Sequence, residues 1–127
     1  MTTKPSEPDY DRLLRENLRR VFSERDAAKR AAALAELFVN EPVMYEPDNV
    51  VTGRAAISDV VGKLLEQFGP TFTFTAEGPA VGHHGLGVLR WYAGTAGGPV
   101  VVTGTDTAEI VDGRISRLWV LINPPTT

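Results

Sequence analysis

A chain of 127 residues with 43% hydrophobic and 23% charged side chains has the size and composition of one globular domain. Its 13 Lys and Arg against 16 Asp and Glu leave a net charge of −3, the wrong sign for a protein whose main partner is nucleic acid or an anionic membrane surface. Without cysteine there is no disulfide, thiolate nucleophile or thiolate-bound metal, and no apolar run approaches the roughly 18 residues of a membrane span. Met1–Asp9 has no apolar signal core, so a soluble cytoplasmic protein is expected.

Residues 1–9 are polar, include two prolines and read as a tail; a single domain over residues 10–123 and a short tail over 124–127 follow. From Tyr10 the spacing of Leu13, Leu14, Leu18, Val21 and Phe22 predicts an amphipathic helix. Asp26 is placed to cap a second helix running to Phe38, which Asn40–Glu41–Pro42 stops. Val43–Glu46 reads as a short strand and Pro47–Asn49 as a turn. Gly53 opens a third helix with Ile57, Val60, Val61, Leu64, Leu65 and Phe68 at helical spacing, closed by Gly69–Pro70.

The second half changes to a period of two. Thr71–Glu77, His83–Ala93, Pro99–Val111 and Ile115–Ile122 are predicted strands, separated by turns at Gly78–Pro79, Gly94–Gly98 and Asp112–Gly113. Three helices followed by an antiparallel meander define an α+β fold. Gly85, Gly87 and Gly104 interrupt strands, where they mark bends of the sheet or relieve crowding under a crossing helix.

No nucleophile elbow, phosphate loop, dinucleotide fingerprint or zinc-protease motif occurs. His83 and His84, read as extended chain, point to opposite faces and form an exposed pair unable to share a metal. Asp106 shares strand parity with Val102, Gly104, Ala108 and Ile110, while Thr103, Thr105, Thr107 and Glu109 take the other face. An aspartate on the apolar face must be hydrogen-bonded, paired with a cation (Arg90, Arg114 or Arg117) or kept neutral with a raised pKa. Glu46 ends a strand just before Pro47, where it reads either as an exposed loop acid, the commoner case, or as a base at the mouth of a cavity. Arg54, in the first turn of the third helix, reads as a structural ion-pair partner of Asp48, Glu46 or Asp59. Trp91, Tyr92 and Trp119 are core or cavity-wall aromatics.

Leu37-Phe38, Tyr45-Glu46-Pro47, Gly53-Arg54-Ala55-Ala56-Ile57, Gly104-Thr105-Asp106 and Asp112-Gly113-Arg114-Ile115 leading to Trp119 occur in an order and spacing that resembles the nuclear transport factor 2-like superfamily, in particular its SnoaL-like and ketosteroid-isomerase-like branches. The resemblance spans about Asp11 to Ile122. It implies a cone: three N-terminal helices packed in a strongly curved, mainly antiparallel sheet around an apolar pocket. By the same resemblance Glu46 falls where the isomerases carry the carboxylate that moves a proton between substrate carbons. Asp106 falls where they carry a protonated aspartic acid, and where SnoaL-type cyclases carry their acidic catalytic residue. Leu18 stands in the place of the isomerases' oxyanion-hole tyrosine. Arg90 matches the arginine of limonene-epoxide-hydrolase-like members, whose acid positions are here Tyr92 and Val120.

The function these residues imply is proton transfer in an apolar carbonyl compound, steroid- or polyketide-like, with Glu46 and Asp106 catalytic and no cofactor or metal. Leu18, Phe22, Tyr45, Arg90 and Trp119 are expected to line the pocket. The competing reading is a non-catalytic ligand-binding or dimerisation module of the same fold. A homodimer is expected through the outer sheet face, on which Leu89, Trp91, Leu118, Val120 and Ile122 would sit.

Overall fold

The structure is a computed structural model and describes residues 7–124. The tails expected at the two ends fall outside the described residues over 1–6 and 125–127. Glu7–Asp9, read as tail, are instead tied to the domain. Glu7 accepts from the Tyr10 hydroxyl at 2.5 Å and from the His84 backbone N–H at 3.0 Å. Asp9 caps α1 (Tyr10–Asn17) by accepting from the Arg12 N–H. The helix then widens into a π-helical segment, Leu18–Phe22, so one apolar stripe spans two helical geometries.

α2 (Ala27–Leu37) begins at Asp26, whose carboxylate accepts from the Lys29 N–H at 3.0 Å, as the sequence predicts. Its last turn runs straight into β1 (Phe38–Glu46), which starts five residues earlier than expected. Phe38 pairs with Ile115 and the ladder resumes only at Val43 with Arg117, so the segment between bulges away around the buried Pro42. β2 (Asn49–Thr52), a strand where only a turn was expected, folds back on β1. α3 (Arg54–Phe68) is entered through Gly53 at φ +96°, a conformation that favours glycine.

β3 (Phe72–Ala76), β4 (Val81–His83), β5 (Leu86–Thr95), β6 (Val100–Val111) and β7 (Arg114–Ile122) complete the chain. The strand expected over His83–Ala93 is a hairpin: His84 (φ +52°) and Gly85 (φ +83°) form its turn. The seven strands form one sheet in the order β2-β1-β7-β6-β5-β3, with β4 also on β5. All pairings are antiparallel except β1 with β7. Ladder shifts at Ala93/Gly94 and Glu109/Ile110 mark where the open sheet curves. Gly87 serves the other purpose weighed for it, close approach: a Cβ there would stand 2.7 Å from the Tyr10 ring and 3.3 Å from Leu14.

The helices fill the inner face of the sheet. Leu14, Val21, Leu34, Leu37, Ile57 and Val61 are buried against Leu89, Trp91, Met44, Leu118 and Val120. This corrects the basis given for a dimer: Leu89, Trp91, Leu118 and Val120 lie under the helices, and the outer face carries the opposite parity, including Thr103, Thr105 and Thr107. Among the described residues no helix is long and apolar enough to cross a membrane.

Arg54 keeps a structural role by a different bond than expected. It donates to the backbone carbonyls of Val39 at 3.0 Å and Phe38 at 2.9 Å, at the start of the β1 bulge, rather than to a carboxylate. Replacing Arg54 with Ala strips a half-buried charged donor from these carbonyls. The expected loss is about 1.5–3 kcal/mol in a urea titration, without loss of ligand binding.

Candidate active site

Strand alternation decides which side chains reach the space between sheet and helices. Phe72 and Phe74 of β3, Trp91 of β5, Val102 of β6 and Val120 of β7 share the inner side with Phe22, Leu64 and Phe68 of the helices. Together they enclose an apolar cavity of about 210 Å³. Its mouth carries Phe68, 39% exposed, and Val101, 60% exposed. The rings interlock: Trp91–Phe74, Phe74–Phe72 and Phe74–Phe22 meet edge to face at 5.2, 5.4 and 5.8 Å, and Phe72 stacks on Phe68 at 4.5 Å.

Among the described residues Glu46 is the one ionisable side chain on this wall. It is half-buried at the end of β1, and loss of hydration among apolar neighbours raises its carboxyl pKa above the ordinary value. A carboxylate with its affinity for protons raised and no cation beside it is suited to taking a proton from a bound ligand.

Asp106 lies one side chain behind the wall. It is 2% exposed, and its Oδ1 accepts from Trp91 Nε1 at 2.9 Å while Oδ2 has no partner among the described residues. Neither Arg90, Arg114 nor Arg117 pairs with it. Burial pushes its pKa up to about 7, against the smaller opposing effect of the indole hydrogen bond. Near neutrality, therefore, the carboxyl carries a proton a substantial part of the time, and Oδ2 is the oxygen free to hold it. The indole that binds Oδ1 lies over Gly104, where a Cβ would come within 2.4 Å of Trp91 Cζ2 and 2.5 Å of the Leu121 carbonyl.

The remaining sequence-predicted pocket residues separate. Phe22 lines the cavity. Leu18 is buried on the side of the first helix that faces β3 and does not reach it. Tyr45 and Trp119 have the parity of the outer face, where they stack on each other at 5.0 Å with the Arg117 guanidinium 5.2 Å from the Trp119 ring. Arg90 is exposed on that same outer face. None of these four lines the cavity: Tyr45, Trp119 and Arg90 point away from the inner side, and Leu18 is packed in the core.

His83 and His84 are exposed as expected, yet the left-handed backbone at His84 turns the pair together, Nδ1 to Nδ1 at 2.8 Å, instead of splaying it. Among the described residues no group of three or more His, Asp and Glu is arranged to hold a metal ion. Sequence reading missed Asn17, wholly buried where α1 turns into the π-helical segment. Neither of its amide atoms has a partner among the described residues.

The chain belongs to the SnoaL-like domain family, whose model matches residues 16–118. No curated protein matches it in sequence. Among solved structures it is similar to a candidate isomerase of the SnoaL-like family from Agrobacterium tumefaciens, with 19% identity, 91% of this chain and 98% of that one covered, and a TM-score of 0.83. It is also similar to a candidate ketosteroid isomerase from Kribbella flavida (18% identity, 94% and 81% covered, TM-score 0.69). A candidate polyketide cyclase from Sinorhizobium meliloti matches as well (20% identity, 90% and 94% covered, TM-score 0.64). These likenesses establish the α+β fold with its curved sheet; isomerase or cyclase chemistry belongs to the functional reading below.

The raised pKa of Asp106 has a signed consequence. The folded state holds this proton more tightly than the unfolded chain does. Its contribution to stability is full below the ordinary carboxyl pKa of 3.8 and is lost as pH rises to about 7. In that window the loss approaches about 1.4 kcal/mol per pH unit. Denaturant unfolding of Asp106→Asn should lack this decline, so the variant gains on the parent protein between pH 4 and 7. Trp91 emission should titrate near pH 7 in the parent and not in the variant.

Proposed function

We propose that the protein is a cofactor-independent isomerase or cyclase of an apolar carbonyl compound, with Glu46 as base and Asp106 as acid. The observation that carries this reading is Glu46, a lone carboxylate with a raised pKa on the wall of an aromatic cavity. In the proposed reaction the Glu46 carboxylate takes a proton from the carbon next to the carbonyl. The electron pair moves onto the carbonyl oxygen, and the neutral carboxyl of Asp106, uncovered by a movement of the Trp91 indole, donates to that oxygen from Oδ2. Return of the proton from Glu46 to a different carbon gives an isomer; attack of the enolate carbon on a second carbonyl closes a ring.

The volume bears on the substrate. About 210 Å³ lies below the roughly 300–1,000 Å³ of ordinary ligand pockets, which favours one or two rings over a full steroid nucleus. A longer substrate would extend through the mouth past Phe68 and Val101.

A second reading is ligand binding without chemistry. The observation favouring it is the position of Trp91, whose indole stands between the cavity and Asp106 and occupies Oδ1. The two readings separate in one assay series. Small cyclic enones and aromatic polyketone fragments are screened by thermal shift, and those that bind are assayed for turnover. On the catalytic reading, Glu46→Gln lowers kcat by about 10²–10⁴ while binding persists. Asp106→Asn, which keeps an N–H donor, retains more activity than Asp106→Ala. Binding with no turnover across the series decides for the second reading.

A further inference from the structure

A second opening lies between α2 and α3, on the opposite side of the α3 C-terminus from the cavity, with which it shares no lining residue. It has a volume of about 400 Å³ and is lined by Arg25 and Arg30 together with Gly62, Glu66 and Gly69. Arg30 is only 5% exposed. Its Nε donates to Ser58 Oγ at 2.9 Å and its Nη1 to the Glu24 carbonyl at 2.6 Å, both uncharged acceptors. Among the described residues neither Arg30 nor Arg25 has a carboxylate oxygen within 4.0 Å. The nearby acids are engaged elsewhere or turned to solvent. Glu24 accepts from the Asp26 N–H, Asp26 caps α2, and Glu66 is exposed at the rim.

A buried guanidinium with no carboxylate in contact is costly, because water has been removed and only the more distant charge of Asp26 acts on it. The chain nonetheless makes room for it. Gly62 stands inside α3, where glycine weakens a helix relative to alanine, and a Cβ at that position would come within 2.9 Å of Arg30 Nη2. Nη2 has no acceptor among the described residues. It lies against Gly62, and both Arg30 and Gly62 line the cleft. Arg25 flanks the same space, held at its edge by a bond from Nη2 to the Gly69 carbonyl.

We propose that this cleft binds a phosphate group of a small molecule between Arg25 and Arg30. Two guanidinium groups without a carboxylate in contact match a dianion in charge, and the N–H groups left free among the described residues, on Arg30 Nη2 and on Arg25 Nε and Nη1, can donate to its oxygens. The volume beyond the two arginines leaves space for the rest of a phosphorylated compound.

The test is titration of the full chain with inorganic phosphate, followed by amide NMR, with ionic strength held constant by chloride. The proposal expects saturable shifts centred on Gly62 and Gly69. Arg25→Gln and Arg30→Gln should each weaken binding about tenfold or more. Should Arg30→Gln fail to fold, Arg25→Gln, an exposed position, carries the test alone. Glu66→Gln removes a like charge from the rim and should tighten binding, an effect that a purely structural Arg30 would not produce. Shifts that do not saturate, that centre outside the cleft, or that are unchanged in Arg25→Gln overturn it.

Discussion

The inner face of this sheet is organised around one buried hydrogen bond, from Trp91 Nε1 to Asp106 Oδ1. A carboxylate placed there would lose its hydration, and a single neutral donor offsets only part of that loss. The group meets the constraint by holding its proton more tightly, which leaves a neutral acid in an apolar setting. The bond also fixes the indole. With its N–H committed to Asp106 and its ring over Gly104, Trp91 presents one side to Phe74, and through it to Phe72 and Phe68 at the mouth. Burial favours the protonated carboxyl, the indole bond opposes it in part, and the same bond holds the ring that shapes the cavity.

Glu46 and Asp106 are raised in pKa by the same cause acting at two depths. Glu46 sits where β1 leaves the sheet and remains half in water; Asp106 lies mid-strand with none. Differing environments of this kind let one carboxyl work as a base and another as an acid at one pH. Glu46 lines the cavity and Asp106 does not; Trp91 lines it too and binds Asp106 Oδ1 from behind.

Much of the fold was legible because its signals are local. The long alternation of β6 placed Asp106 on the buried face, and the caps at Asp26 and Gly53 set the starts of two helices. What stayed hidden depends on partners distant in sequence. Phe38 continues a helical pattern, yet becomes strand because Ile115 offers it a parallel ladder. β2 has four residues and one buried side chain, too little for a periodic signal. Arg54 has acids near it in sequence, but the bulge in β1 presents it with carbonyls. Tyr45 and Trp119 could have been placed by parity, since Met44, Leu118 and Val120 share the opposite face; the resemblance drew them inward where alternation did not.

Gly62 and Gly104 serve one physical purpose in two settings. Each stands inside a regular element, where glycine weakens the structure, and each leaves space for a flat, nitrogen-bearing side chain: the Arg30 guanidinium and the Trp91 indole. In both cases a polar group is brought into the interior with some of its hydrogen-bonding capacity unused among the described residues, at Arg30 Nη2 and at Asp106 Oδ2. A sequence selected for stability alone would fill both positions with a larger residue and replace both polar groups with hydrocarbon. Departures from local preference that coincide with unspent polar capacity concentrate where a fold is used, and here they fall beside the apolar cavity and the arginine-lined cleft.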